Sequence, residues 1–200
     1  MEPTTARVLA RRRRLRLLMA TGLGLLLGLV LLDHSGLLHR WGLLRPVGLR
    51  GYAGDDQAAF EGRTYVIRHV FDGDTVEIIP PAGGPATRVR LLGIDAPELN
   101  SRWGDPPQPW AHEALQYLRQ TAQGHPVIVR LDPPRTRDRY DRLLAYLYLS
   151  EETNLNLQLV RQGHALADRR FAHSLQAAFQ QAQSAARKQK RGMWQAGERQ

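Results

Sequence analysis

The stretch Arg88–Glu98, which reads RVRLLGIDAPE, constrains the fold more than any other part of the chain. Residues 87–92 alternate between polar and apolar, which predicts a half-buried β-strand with Arg90 on its polar face. The strand leads into a loop that carries two carboxylates, Asp95 and Glu98. The proline between them fixes its own φ and favours extended backbone before it, so the carboxylates lie on a stiffened chain. An arginine and two fixed carboxylates at a strand end suit a cation and a phosphate better than a hydrophobic core.

The net charge of +9 is concentrated near the N-terminus. Residues 1–50 hold 9 of the 28 Lys and Arg residues and 2 of the 19 acidic residues, so the rest of the chain carries only +2. This distribution is weak evidence for a basic binding surface. The absence of cysteine excludes disulfides, thiolate zinc sites and thiol nucleophiles.

The N-terminal segment has a basic part followed by an uncharged one. Six arginines lie within residues 7–16, and the leucine-rich residues 17–32 carry no charge. A cleaved signal peptide and a buried helix are alternatives, but a membrane anchor over residues 17–34 fits best. Residues 1–16 are then a cytoplasmic tail, and the residues after the anchor lie on the opposite side of the membrane. If the segment is cleaved, the protein is secreted.

After a predicted linker over residues 35–61, folded structure is expected over residues 62–195. Five segments show strand-like patterns: 63–70, 75–80, 87–92, 126–131 and 143–149. Three segments show helical spacing: 110–122, 156–161 and 171–189. The pattern predicts an α+β, mostly β domain, a five-stranded barrel of the OB type with three helices, preceded by the transmembrane helix.

The segment Asp72-Gly73-Asp74-Thr75 is the turn between the first two strands. Asp-Gly alone indicates a hairpin turn, yet it leaves Asp74 at the mouth of a strand, within reach of a neighbouring strand end. Two short carboxylates, Asp74 and Asp95, with a loop carbonyl give hard oxygen ligands that favour Ca²⁺ or Mg²⁺. Such a coordination sphere is incomplete and leaves positions for water and a substrate phosphate.

The charged segment RTRDRYDR, residues 135–142, directly precedes an apolar strand. The start of that strand fixes Arg142, so Arg90 and Arg142 are both placed to address one phosphate. Tyr140 is predicted either to stack on a base or to cover the barrel, and the sequence favours neither alternative.

Taken together, the DGDT turn, the RLLGIDAPE segment, the RDRYDRLLAY segment and the LVRQGHA…F…A…GMW tail resemble the thermonuclease (staphylococcal nuclease-like) family. The similarity covers roughly Gly62 to Trp194. The resemblance implies an OB-fold, Ca²⁺-dependent phosphodiesterase that acts on DNA and RNA. It also implies that Asp74 and Asp95 bind calcium with the backbone carbonyl of Ala96, and that Glu98 orients or deprotonates the attacking water.

By the same resemblance, Arg90 and Arg142 bind the scissile phosphate and its transition state. Arg139 and Tyr140 retain the residue types expected to contact a terminal phosphate and a base. One departure is Asp141, where the family often has glycine. A carboxylate there is expected either to pair with Arg142 and draw it from the phosphate, or to lock its rotamer.

A second departure affects base stacking. Positions that hold stacking tyrosines in the best-known member are Arg169 and Phe171 here, which puts nucleotide affinity in question but not the chemistry. No sequence-specific recognition motif occurs, and single-stranded or frayed DNA or RNA is the expected partner of a monomer. The alternatives are a non-catalytic, membrane-tethered module that binds nucleic acid or protein, and a tethered structural protein whose calcium is only stabilising. The presence of all the predicted carboxylates and arginines favours an enzyme.

Overall fold

The structure, a computed structural model, describes residues 53–99 and 106–195. The predicted cytoplasmic tail, the anchor over residues 17–34 and most of the linker lie outside the described residues. Within the described part of the chain, no helix has both the length and the apolar character needed to cross a membrane. The anchor therefore stays a prediction from sequence.

Eight strands occur in the described part of the chain. They are β1 (Thr64–Val70), β2 (Thr75–Ile79), β3 (Thr87–Leu91), β4 (Ile94–Asp95), β5 (Pro126–Leu131), β6 (Leu143–Ser150), β7 (Thr153–Asn154) and β8 (Leu166–Ala167). The five longer strands pair antiparallel in the order β3-β2-β1-β5-β6, and β3 also pairs parallel with β6, which closes the sheet. The predicted five-stranded barrel of the OB type is confirmed.

Strand β3, which leads to the predicted site, shows the period-two alternation of a half-buried strand. Along β3, Val89 and Leu91 are buried, while Arg88 is exposed and Arg90 is half-buried. The barrel interior is filled by the apolar faces of all five strands, and each large side chain that is fully buried contributes about 1.5–3 kcal/mol. Fully buried members of this core include Ile67, Val76, Ile78, Val129, Leu143 and Leu147. Polar side chains are therefore left to the outer face and to the strand ends.

Four α-helices accompany the barrel in the described residues: α1 (Ala53–Phe60), α2 (Ala111–Ala122), α3 (Leu155–Arg161) and α4 (Gln176–Lys188). The three helices predicted from sequence correspond to α2, α3 and α4. The last one begins at Gln176 and not at the predicted position 171, because the preceding residues are tied to the barrel. The Ser174 N–H donates to Asp132 Oδ2 at 2.7 Å, and the His173 ring lies 2.7 Å from the Tyr146 hydroxyl.

Helix α1 lies within the predicted linker, so the folded structure begins earlier than the sequence indicated. Its Asp56 is only 5% exposed and accepts hydrogen bonds from the Thr136 hydroxyl at 2.6 Å and from the Arg137 guanidinium. This buried ion pair joins α1 to the loop before β6. The short helix has no apolar periodicity, and a contact with a distant loop leaves no local signal in the sequence.

The short strands β4 and β8 determine what surrounds the end of β3. They pair antiparallel, with Asp95 opposite Leu166. The Asp168 N–H also donates to the Gly93 carbonyl at 2.9 Å. The segment that follows α3 is thereby held against the loop that carries the predicted metal-binding carboxylate.

Candidate active site

Asp74 is a buried carboxylate that the hairpin between β1 and β2 positions. The Asp72 carboxylate accepts a hydrogen bond from the Asp74 N–H at 2.9 Å and so closes the turn. Asp74 itself is 5% exposed. Its Oδ1 accepts from the Thr75 hydroxyl at 3.1 Å, and its Oδ2 accepts from the Ala96 N–H at 2.9 Å. The Asp74 side chain therefore joins the hairpin to the loop that follows β3.

Gly73 permits the close approach of these two loops. A Cβ atom at this position would lie 2.6 Å from the Cβ of Ala96 and 3.0 Å from the Cβ of Ala114. Both distances are shorter than ordinary carbon–carbon contacts, which begin near 3.5 Å. The glycine of the DGDT motif is thus required here for space.

Arg90 lies between the two carboxylates that were predicted to bind a metal. Cross-strand pairing of Thr75 with Arg90 brings the guanidinium next to Asp74. Its Nη1 is 2.6 Å from Asp74 Oδ2, and its Nη2 donates to Asp95 Oδ1 at 3.0 Å. Although Nη1 is close to Asp74, it is buried and not aligned for a hydrogen bond with any acceptor in the described residues. Nη1 therefore has no exposed surface and lies against the Asp74 carboxylate in a buried ion pair.

Arg142 reaches the same site from the start of β6. The parallel pairing of β3 with β6, in which Arg90 is opposite Leu144, brings the two arginines to one end of the barrel. Arg142 Nη1 donates to the Thr75 hydroxyl at 3.2 Å, and that hydroxyl donates to Asp74. A continuous chain of hydrogen bonds therefore links Arg142 to the buried carboxylate.

Asp138 makes the pairing that was predicted for Asp141. The Asp138 carboxylate accepts from the backbone N–H and the Nε of Arg142, at 3.0 Å and 2.8 Å. The Asp141 side chain is 82% exposed and lies 3.6 Å from Arg137. The φ of Asp141 is 64°, a conformation in which glycine is favoured and aspartate is tolerated. This positive φ accounts for a preference for glycine at the position, and aspartate is among the few other residues that adopt it.

Glu98 is an exposed residue on the loop that follows β4. Its backbone N–H donates to the Gln108 side chain at 3.0 Å, which fixes the loop. Partial desolvation raises the pKa of the Glu98 carboxyl, and the charge of Asp72 raises it further, whereas Arg90 and Arg142 lower it. The charges of the site therefore act on Glu98, and its raised pKa makes the carboxylate a better proton acceptor.

The buried carboxylate is short of compensating positive charge. Burial raises the pKa of Asp74 from 3.8 to about 7, and the neighbouring Asp72 adds to this effect. The guanidinium of Arg90 and the N–H of Ala96 lower the pKa but do not restore its ordinary value. An ionised Asp74 therefore costs free energy that a bound cation would return.

The donor atoms present fit a hard divalent cation. The carboxylates of Asp74 and Asp95 and the carbonyl of Ala96 offer only oxygen, which Ca²⁺ and Mg²⁺ prefer. Within residues 53–99 and 106–195, no group of three or more His, Asp or Glu side chains is placed to hold a metal ion. The protein would therefore supply part of a coordination sphere, and water and substrate oxygens would complete it.

The two predicted substrate-binding residues lie beside Arg142. Tyr140 is 45% exposed, and the Cζ atoms of Arg139 and Arg142 are 4.7 Å and 5.6 Å from its ring centroid. The contact with Arg142 places the ring at the same end of the barrel as the site. Phe171, at a position where the family's best-known member has tyrosine, is 58% exposed. The stacking roles of these residues stay predictions.

Four residues that contact the site were missed in the sequence. Asp72 and Thr75 belong to the DGDT motif itself, so their polar side chains at a strand mouth were a usable signal. Asp138 lies within the charged segment that was singled out. No local sequence pattern pointed to Arg170, because its Nη2 lies 2.9 Å from Asp95 Oδ1 only through the pairing of β4 with β8.

Comparison with known proteins places these residues in a family. The sequence model described as "Staphylococcal nuclease homologue" matches residues 88–196. The thermonuclease of Staphylococcus hyicus is 34% identical over 133 residues, which cover 66% of this chain and 76% of that protein. The thermonuclease of Staphylococcus intermedius is 32% identical over 136 residues, covering 66% and 77%. A protein of Escherichia coli named an uncharacterized endonuclease is 34% identical over 125 residues, covering 62% and 72%.

The matched region contains Arg90, Asp95, Glu98 and Arg142, and the alignment with the thermonucleases spans about two-thirds of the chain. The geometry and the relatives agree, since two arginines and neighbouring carboxylates at one barrel end are groups suited to a phosphodiester. The chain belongs to the staphylococcal nuclease family, and it is a nuclease, a hydrolase of nucleic acid.

Proposed function

We propose that this nuclease is a Ca²⁺-dependent phosphodiesterase that hydrolyses DNA, RNA or both without strong preference for the sugar. The observation that carries the proposal is the placement of Arg90 between Asp74 and Asp95, with Arg142 linked to the same cluster through Thr75. The relatives named thermonucleases support the reaction class.

Asp74, Asp95 and the carbonyl of Ala96 would hold the cation. When bound, Ca²⁺ supplies Lewis-acid polarisation of a phosphate oxygen and a site for water. Ca²⁺ tolerates irregular oxygen coordination with water in several positions, whereas Mg²⁺ demands near-ideal octahedral geometry. This tolerance of irregular geometry favours Ca²⁺, whereas the small number of protein ligands by itself suits either ion.

Arg90 and Arg142 bind the scissile phosphate in this mechanism. A guanidinium group can donate two parallel hydrogen bonds to the non-bridging oxygens of a phosphate. The hydrogen bonds from Arg142 to Thr75 and from Thr75 to Asp74 hold this end of the site in place. Charge on these oxygens increases as water attacks, and donors fixed beforehand stabilise it without reorganisation. The half-buried position of Arg90, with its side chain 14% exposed, strengthens this effect by limiting solvent screening.

Glu98 positions the attacking water by accepting a hydrogen bond from it. Its raised pKa also suits proton transfer, because a carboxylate nearer neutrality is a stronger base than an ordinary one. The loop proline and the hydrogen bond from the Glu98 N–H to Gln108 hold this residue beside the other groups.

Single-stranded or frayed nucleic acid is the proposed substrate, bound by a monomer. Arg139 and the partly exposed Tyr140 lie next to Arg142, where a terminal phosphate and a base would follow the scissile group. A stacking contact tolerates any base, which accords with cleavage that does not depend on sequence.

Cleavage assays on plasmid, single-stranded DNA and RNA test the proposal with the full chain. EDTA is expected to abolish cleavage, and Ca²⁺ is expected to restore it better than Zn²⁺. Arg90→Ala and Glu98→Ala should each lower turnover by at least ~100-fold while the protein stays folded. Arg130→Ala is the matched control, because Arg130 pairs with Glu151 at the far end of β6. Near-normal turnover in either site variant would contradict the assignment.

We also propose that residues 17–34 form a single-pass anchor that places the nuclease domain outside the cytoplasm. The support is the uncharged, leucine-rich sequence after six arginines. Fractionation of cells and protease accessibility test it: the full chain should sediment with membranes and be digested only from the extracytoplasmic side. A shortened protein in the medium would instead indicate a cleaved signal sequence.

A further inference from the structure

The Asp95 carboxylate is shared by two arginines. Arg90 Nη2 lies 3.0 Å from Asp95 Oδ1, and Arg170 Nη2 lies 2.9 Å from the same atom. The two guanidinium groups reach it from different environments, since the side chain of Arg90 is 14% exposed and that of Arg170 is 60% exposed. Arg170 is therefore the solvent-side cation of the pair, on the side from which substrate arrives.

Asp168 holds Arg170 in place independently of Asp95. Its two oxygens accept from Nε and Nη2 of Arg170, each at 2.9 Å, and its Oδ1 also accepts from the Arg170 backbone N–H at 2.8 Å. The Asp168 side chain is only 10% exposed, and its N–H is bonded to the Gly93 carbonyl. A two-point contact on a fixed carboxylate keeps the guanidinium at the rim of the site when Asp95 binds another group.

A cation bound to Asp95 would take an acceptor away from Arg170. The same cation draws a phosphate to the neighbouring Arg90, and a phosphate oxygen is the natural replacement acceptor for a guanidinium held close by. We propose that Arg170 is a third phosphate-binding arginine of the nuclease site. Arg170 is paired with Asp95 in the cation-free protein and becomes available to phosphate when a divalent cation binds the Asp95 carboxylate. This inference rests on the proposed function, because it requires a cation and a phosphate at the same site.

Calorimetric titration with thymidine 3′,5′-bisphosphate tests the inference. This probe carries two phosphates but no phosphodiester bond, so a phosphodiesterase does not consume it. With the full chain in Ca²⁺, Arg170→Gln should weaken binding about tenfold, the effect of losing one charge-assisted hydrogen bond of about 1.4 kcal/mol. In EDTA, where Asp95 engages Arg170, the same variant should differ from the wild type by no more than about twofold.

Two further variants separate this role from a general loss of charge. Arg130→Gln removes the same charge from an ion pair with Glu151, and it should change neither affinity by more than about twofold. Arg170→Lys keeps the charge but not the fork, so it should lie between Arg170→Gln and the wild type in Ca²⁺. Because the Arg170 side chain is mostly exposed, thermal unfolding should show that both of its variants are folded.

Three results would overturn the inference. They are unchanged affinity of Arg170→Gln in Ca²⁺, an equal loss in Ca²⁺ and in EDTA, and an equal loss in Arg130→Gln. Cleavage of plasmid by the wild type is measured on the same preparation. Absence of cleavage together with a Ca²⁺-dependent loss of affinity in Arg170→Gln would refute the proposed hydrolysis and leave the binding role of Arg170. Intact cleavage with any of these three results would refute the role of Arg170 alone.

Discussion

Replacing Asp74 with asparagine should stabilise the cation-free protein. The buried carboxylate has its pKa raised from 3.8 to about 7, and each pKa unit corresponds to about 1.36 kcal/mol, so ionisation costs up to about 4 kcal/mol at neutral pH. Asparagine is uncharged and has nearly the same shape. Its oxygen can accept from the Ala96 N–H, and its amide can donate to the Thr75 hydroxyl. Because the raised pKa already includes the favourable contact with Arg90, a net gain approaching this figure is expected at neutral pH.

The gain should depend on pH in a defined direction. Between about pH 4 and pH 7 the folded state binds more protons at Asp74 than the unfolded state does, because the folded pKa is the higher one. The stability of the wild type therefore falls as the pH rises through this window, relative to the Asp74→Asn variant. Near pH 4 the carboxyl is protonated in the folded state, and the two proteins should be almost equally stable.

Urea unfolding from pH 4 to pH 8 in EDTA measures this difference. The control is Asp141→Asn, the same chemical change at a side chain that is 82% exposed, where an effect within about 0.5 kcal/mol is expected. Adding Ca²⁺ should stabilise the wild type and leave the Asp74→Asn variant nearly unchanged. A variant that is less stable than the wild type throughout, or a difference independent of pH, would refute the reasoning about the buried charge.

Two further predictions concern the support of the site. Thr75→Val should lower kcat about tenfold and Thr75→Ser should not, because the Thr75 hydroxyl joins Arg142 to Asp74. Steady-state kinetics measures kcat, and equal kcat values for the two variants would exclude this role of the hydroxyl. Gly73→Ala should destabilise the protein by about 1–3 kcal/mol, because the added Cβ would lie 2.6 Å from the Cβ of Ala96. An unchanged midpoint in urea unfolding would contradict this prediction.

Much of the barrel was predictable because its signals are local. Alternation of polar and apolar residues marked the third strand, and β-branched or apolar runs marked the other four; the observed bounds of Pro126–Leu131 match the predicted ones. The DGDT turn and the loop with Asp95 and Glu98 were recognisable for the same reason, since each consists of consecutive residues. Helix α1 was missed because its contact, Asp56 with Arg137, joins segments far apart in the chain.

The sequence by itself determined which groups the chain could bring to a site: short carboxylates at strand ends and arginines at the edges of apolar strands. Only the tertiary structure decided which of them meet. The parallel pairing of β3 with β6 places Arg142 beside Arg90, and the pairing of β4 with β8 adds Arg170 to Asp95. Strand alternation is a property of neighbouring residues, whereas the pairing of distant strands depends on how the whole barrel closes around its core.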